Sequence, residues 1–262
     1  MVIEKNAIRI EKNLVLNNMS DLEWCINYLK EYNHLKELPN LDDYATFRAL
    51  LNITMPNNLS DEFYDKQDKA LQNILSHKQI VDITSFKEGI SLYKGDITLI
   101  KADAIVNACN SQMLGCFIPG HHCIDNAIHS FAGLQVRRDM MEIMNKQGYE
   151  EPNGQVKVSK AYNLPSKFIF HTVGPIYSGT HRDEIDLMNC YYSCLRKADE
   201  MKLESIVFCS LSTGIFGFPI EKASKIAIKC VESYLKEENI NIKKVIFDVF
   251  SDNDFKTYKD NL

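Results

Sequence analysis

Two textures of hydrophobic patterning divide the chain of 262 residues. From residue 1 to about 78, apolar positions recur three and four residues apart in WCINYLKEY, DDYATFRALLNI and DEFYDKQDKALQNIL, which predicts amphipathic helices. Ser20-Asp21-Leu22-Glu23 reads as a capping box opening the first of them. Pro39, Pro56 and asparagine-rich stretches punctuate the connectors. From about residue 80 the period changes. The runs IVDI, ISLYKGD, AIVNAC, QVKVSKAY, FIFHTV, SIVFCSL and KVIFDVF are rich in Val, Ile, Phe and Tyr and read as strands. Between them CIDNAIHSFAG, LQVRRDMMEIMNK, EIDLMNCYYSCLRKADEM and IEKASKIAIKCVESYLKEE carry helical spacing. The expectation is a helical extension, residues 1–78, packed on an α/β domain, residues 79–262. Strand–helix alternation predicts a largely parallel or mixed sheet with helices on both faces. Such sheets bind ligands beyond the carboxyl ends of their strands, so chemistry is sought in the loops there.

Composition narrows the function classes. Hydrophobic residues make up 45% and charged residues 25%, an ordinary globular balance that can build a core. No run of about 18 apolar residues predicts a membrane span. The opening MVIEKNAIRIEKN is charged and lacks an apolar leader, so a cytoplasmic protein is expected. The formal net charge of -5, with basic residues dispersed, argues against nucleic acid as a partner. A nucleotide-like small molecule stays open, because backbone N–H groups bind a diphosphate without a basic surface. Of eight cysteines, Cys25, Cys109, Cys190, Cys194, Cys209 and Cys230 read as small core hydrophobes. Cys116 and Cys123 alone lie in polar, loop-like surroundings.

Four clusters follow strand-like runs. Asp96, in Lys94-Gly95-Asp96-Ile97-Thr98, either caps a turn or accepts from an exocyclic amine. Asn107 and Asn110 can hold a loop or offer amide hydrogen bonds to a sugar. In Ser212-Thr213-Gly214-Ile215-Phe216-Gly217-Phe218-Pro219, two glycines permit close backbone approach. The helix start that follows exposes free N–H groups, so this loop reads as a phosphate site, with Phe216 or Phe218 available to stack on a sugar or base. The fourth cluster, Cys116 to His129, holds C-x4-H-x-C. Cys116, His121 and Cys123 can surround one zinc ion if Pro119-Gly120 bends the loop, and three ligands with an open fourth position is the catalytic pattern. The competing reading is two free thiols and a surface histidine. His122 is the rival ligand by sequence, and His129 shares a helix face with Asp125 or simply packs there.

The order GDIT, NACN, DNAIH, HTVGP and STGIFGFP resembles the macrodomain family across residues 90 to 250. That resemblance implies a three-layer α/β/α macrodomain fold with a mixed central sheet, binding ADP-ribose in a crevice. It assigns Asp96 and Ile97 to the adenine, Asn110 to the distal ribose, and Ser212, Thr213, Gly214, Ile215, Phe216 and Gly217 to the diphosphate. Many hydrolytic macrodomains carry a run of glycines before the aspartate of the catalytic loop. CFIPGHHC stands there instead and resembles the zinc-dependent bacterial and fungal subgroup, which also has a helical N-terminal extension. The expectations that follow are one Zn2+ per chain on Cys116, His121 and Cys123, and catalytic roles for Asp125 and Asn126. The expected activity is removal of mono-ADP-ribose from proteins, from Asp or Glu esters in the first instance. By the same resemblance, a lipoyl-carrier protein modified by a sirtuin-like transferase is a partner. The rival class is a non-catalytic reader of ADP-ribose with structural zinc, closed by a fourth ligand such as His129 or Asp125.

Overall fold

The computed structural model describes residues 19–38 and 40–262. The opening segment MVIEKNAIRIEKN, on which the absence of a leader is read, lies outside them, as does the rest of the extension up to residue 18.

Three helices open the described chain: α1 (Asp21–Tyr32), α2 (Asp43–Ile53) and α3 (Asp61–Ser76). Each begins on a side-chain cap, Ser20, Asp42 and Ser60 in turn, which satisfies an N–H that has no partner inside the helix. Ser20 and Glu23 form the expected capping box. Their apolar stripes meet in a small core of Cys25, Leu29, Phe47, Leu50, Phe63 and Leu71. Leu134 of the following domain completes that core, so the extension is seated on the domain through shared apolar surface.

The remaining elements are β1 (Val81–Asp82), β2 (Gly89–Lys94), β3 (Ile100–Lys101), β4 (Ala104–Cys109), α4 (Ile124–Ala132), α5 (Leu134–Gln147), β5 (Val156–Lys160), β6 (Phe168–Val173), α6 (His181–Glu200), β7 (Ser205–Phe208), α7 (Ile220–Glu237), β8 (Lys244–Val249) and α8 (Asp252–Asn261). The central sheet runs β2-β8-β7-β4-β6-β5. Its strands are parallel except for β5, which pairs antiparallel with β6. This is the mixed sheet of an α/β/α fold, with α4 and α5 on one side and α6, α7 and α8 on the other. Strands β4, β7 and β8 are buried almost throughout, as strands covered on both faces must be. β1 pairs only with β3, in a separate parallel ribbon.

The structure departs from the sequence pattern in two places. The run IVDI yields only a two-residue strand before a 3-10 turn at Ile83–Ser85. The segment DNDFKTYKDN, which shows no helical apolar stripe, forms α8; Ser251 caps it, and Thr257 and Tyr258 are its buried residues.

Candidate active site

The carboxyl ends of β2, β4, β6, β7 and β8 lie side by side, and the loops that follow them carry the polar clusters. At β2, Asp96 is exposed and caps the 3-10 turn Ile97–Leu99. Its Oδ1 accepts from Thr98 N–H at 2.9 Å and from Thr98 Oγ1 at 2.6 Å. The turn reading of Asp96 therefore accounts for one oxygen, and Oδ2 is not needed for it. Beside Asp96 opens a cleft of about 460 Å³ lined by Tyr44, Leu71, Leu75, Thr98 and Phe131 among others, so α2 and α3 of the extension form one wall. Phe250, directly after β8, is 86% exposed. The sequence presents it as the end of an apolar run, KVIFDVF, and so gives no sign that its ring is left exposed.

After β7 the chain enters the loop from Ser212 to Gly217. Ser212 takes the left-handed conformation at φ 64°, unusual for a residue with a side chain. Phe218 N–H closes back on Ser212 O at 2.9 Å and Gly217 N–H on Gly214 O at 2.9 Å. Among the described residues, no acceptor takes the N–H groups of Gly214, Ile215 or Phe216. Successive free donors in one loop make an anion cradle. Phe218 is buried against Tyr177, ring centroids 4.7 Å apart, so of the two phenylalanines only Phe216 is left to meet a ligand. Tyr177 N–H also donates to Phe216 O at 2.8 Å, tying the loop after β6 to this one.

The third group follows β4. Asn110 accepts from Gln112 N–H at 3.0 Å and shapes the turn into residues 115–123. Gly115 and Gly120 adopt φ of 85° and 64°, bending the segment at both ends. The bends bring the ligand atoms of Cys116, His121 and Cys123 within 4.8 Å of one another. Cys116 Sγ lies 3.6 Å from His121 Nδ1. Zinc bonds of about 2.3 Å to sulfur and about 2.0 Å to nitrogen place tetrahedral donors at roughly such separations. Cys123 is also the N-cap of α4, its sulfur accepting from Asn126 N–H at 3.4 Å. Burial raises the Cys123 thiol above its ordinary range, against the Asn126 hydrogen bond, which lowers it. The donor set and its spacing therefore fit a zinc ion. His122 is exposed and outside the group.

Asp125, two residues on, is buried in the first turn of α4. Its Oδ1 accepts from Asn107 Nδ2 on β4 at 2.7 Å. Burial raises its carboxyl to about 6, against the Asn107 hydrogen bond and the positive charge of Arg137, which lower it. His129 Nε2 lies 3.5 Å from Asp125 Oδ1. Burial holds that imidazole well below its ordinary range and hence neutral, so the contact is not an ion pair. Among the described residues, neither ring nitrogen of His129 has a hydrogen-bond partner, and neither joins the Cys116 group, so the structure gives no support to His129 as a fourth ligand. Asn126 is fully committed to the loop: Nδ2 donates to Ile118 O at 2.9 Å and Oδ1 accepts from Arg48 of α2.

The sequence match agrees with this geometry. Residues 106–227 match the Macro domain family. A Staphylococcus aureus (strain Mu50) protein named protein-ADP-ribose hydrolase is 42% identical over 258 residues, covering 94% of this chain and 96% of its own. A Treponema medium protein of the same name is 43% identical, covering 90% and 95%. Among solved structures, a Trypanosoma brucei macrodomain in complex with ADP-ribose superposes with a TM-score of 0.63 at 28% identity, covering 81% of this chain and 94% of that one. An Oceanobacillus iheyensis macrodomain with ADP gives 0.60 at 38%, covering 65% and 87%. Parallel-sheet order, the anion cradle after β7 and relatives matched over nearly their whole length lead to one assignment: the chain belongs to the macrodomain family.

Proposed function

We propose that this protein hydrolyses mono-ADP-ribose from modified proteins and that it does so as a zinc enzyme. The observation that carries the chemistry is the three-donor group of Cys116, His121 and Cys123 on the loop that also leads into Asp125. A module that only reads ADP-ribose has no use for a three-donor group with an open fourth position.

In this reading the adenine lies at the Asp96 end, where Asp96 Oδ2 accepts from the exocyclic amine and Ile97 N–H donates to the ring. Phe250 offers a face for the base to stack on. The diphosphate sits on the free N–H groups of the Ser212–Gly217 loop. This binding energy is remote from the scissile bond and orients the distal ribose, whose hydroxyls meet Asn110. The reaction adds water across the bond between C1″ of that ribose and the side-chain oxygen of an Asp or Glu ester. It releases ADP-ribose and restores the carboxyl group. Asp125, held by Asn107, is placed to orient the ribose or take a proton from water. Asn126 acts by holding the loop, since its carboxamide is occupied there. A bound zinc ion supplies Lewis-acid polarisation and lowers the pKa of water from about 15.7 towards about 7. The eight cysteines are all unpaired, which suits a reducing cytoplasm. A lipoyl-carrier protein modified by a sirtuin-like transferase is the substrate to try first.

The test is release of ADP-ribose from an acidic-residue-linked modified protein, followed by mass spectrometry, before and after zinc removal. Loss on chelation, restoration by zinc, and a drop of at least about 100-fold in Cys116→Ser are expected. ADP-ribose binding without release by zinc-loaded protein, across several linkages, would establish a reader instead. Release that survives complete zinc removal would leave the hydrolase and demote the metal.

A further inference from the structure

The helical extension has no residue in the three-donor group, yet one of its helices reaches that loop directly. Arg48 and Asn52 stand four residues apart on α2, one turn along the same face. Asn52 Oδ1 accepts from Gly120 N–H at 2.8 Å, and Arg48 Nη2 donates to His121 O at 2.9 Å. These two bonds lie immediately before and after His121, so the main chain on both sides of that ligand is held from α2.

The same two side chains lock what lies behind the loop. Arg48 Nε and Nη2 donate to Asn126 Oδ1 at 3.2 and 2.9 Å, and Asn126 Nδ2 in turn donates to Ile118 O. Asn52 Nδ2 donates to Ser130 Oγ at 2.8 Å, and Ser130 Oγ donates to Asn126 O. Asn52 is 1% exposed, so its bond to Gly120 is shielded from water. The two cysteines have other supports: Cys123 is fixed as the N-cap of α4, and Cys116 follows the left-handed bend at Gly115, which packs on His129.

We infer that α2 is a positioning element of the metal site, with Arg48 and Asn52 setting the place of His121 while the macrodomain itself sets Cys116 and Cys123. This rests on the zinc reading given above. Groups that orient metal ligands from behind are commonly worth 10–100-fold in metal affinity. Linkage then works in both directions: an ion on His121 stabilises the docked position of α2, and docking of α2 strengthens ion binding.

The experiment measures Zn2+ affinity by chelator competition, and the Co2+ absorption spectrum, for full-length wild type, Asn52→Asp and Arg48→Met/Asn52→Leu. ADP-ribose affinity serves as the check on folding, because its proposed diphosphate cradle after β7 does not touch α2 and Tyr44, the α2 residue lining the cleft beside Asp96, is left unchanged. The double variant should lose at least about tenfold in Zn2+ affinity while retaining ADP-ribose binding. Its Co2+ form should keep sulfur-to-cobalt charge transfer, because the cysteines still bind, with altered d–d bands. Asn52→Asp keeps the acceptor for Gly120 but gives up the donor to Ser130, and should lose less zinc affinity than the double variant. Zinc affinity within about twofold of wild type in a double variant that binds ADP-ribose would overturn the inference; so would a loss in Asn52→Asp as large as in the double variant. Should the double variant fail to bind ADP-ribose, hydrogen exchange on wild type decides. Added zinc must then slow exchange in residues 43–53 as well as in 114–123, and protection confined to the loop overturns the inference. A wild type that binds neither metal at one per chain removes the zinc reading itself, and this inference with it.

Discussion

The direction of a hydrogen bond fixes the state of His171. Ser159 Oγ donates to Lys160 O, so it accepts from His171 Nε2–H at 2.9 Å. The Nδ1 lone pair then takes an N–H of Asn107 at 3.2 Å, and the other N–H of Asn107 goes to Asp125. The imidazole is neutral, and burial pushes it down to about 3. With the folded value below the ordinary 6.5, this group contributes stability above about pH 6.5 that is lost as pH falls towards 3. His129, also held down by burial, adds to the same loss. Replacing His171 with Phe should cost about 1–3 kcal/mol at pH 7, since Asn107 and Ser159 lose a buried partner. It should also shrink the acid-side decline, which urea midpoints at pH 7 and pH 4.5 would show; an unchanged decline would exclude His171 as its source. The sequence shows His171 only as one letter inside the apolar run FIFHTV. That it faces Asn107 follows from the β4–β6 register, which no local pattern encodes. Asp96, by contrast, was legible because a carboxylate ending an apolar run stands out. The C-x4-H-x-C spacing was legible because ligand chemistry restricts which residues can serve.

Elements were read more securely than the contacts between them. The change of period near residue 80 located every strand of the central sheet, and α4 to α7 fall where helical spacing placed them. What the pattern of α2 could not reveal is that its polar face is turned towards the macrodomain. Arg48 and Asn52 look like ordinary solvent-facing residues until the fold brings in partners more than 60 positions away. Arg137 of α5 is the reciprocal case. Its guanidinium, 1% exposed, donates through Nη1 to the carbonyls of Leu51, Asn52 and Thr54, the otherwise unpaired end of α2. Nε reaches Leu114 O, and the group lies 4.4 Å over the ring of Phe117. Burial lowers it to about 10, against the charge of Asp125, so it stays cationic. Arg137→Ala should destabilise by about 3–5 kcal/mol, because buried carbonyls lose their donor and a cavity opens. Arg137→Lys should recover only part of that, since an ammonium cannot serve α2 and Leu114 together. Calorimetric melting of the two variants checks both statements, and equal stability would show that α2 does not depend on the fork. Gly115 sets a second limit. A Cβ there would lie 2.8 Å from His129 Cγ, at a φ of 85° that L residues rarely adopt. Gly115→Ala should cost about 2–4 kcal/mol through overpacking and strain, and loosen zinc by displacing Cys116. A variant with wild-type melting and metal affinity would refute this.

At the scale of the whole molecule, two cores, one in the extension and one around the sheet, meet through Leu134 and the polar contacts of α2. Acid weakens this assembly through its buried histidines; on the other side of neutrality the determinant is Asp248. This residue is the penultimate one of β8, beneath the Asp96 turn, and its Oδ1 has no hydrogen-bond partner among the described residues. Burial first, and the charge of Asp96 second, push its carboxyl up to about 8. Because the folded value lies above the unfolded one near 3.8, the native state binds the extra proton between them. The contribution is complete below about pH 4 and fades as pH rises towards 8. Ionised Asp248 would also place a second negative charge next to the carboxylate proposed to receive the adenine amine. Asp248→Asn keeps the shape and removes the titration. Its urea midpoint should change less between pH 5.5 and 8.5 than that of wild type, with the gain concentrated at the upper end, and its ADP-ribose affinity should lose any decline over the same interval. Parallel midpoint curves for the two proteins would mean that Asp248 is already ionised in the fold at neutral pH. The upper limit of stability would then have to come from groups other than this buried acid.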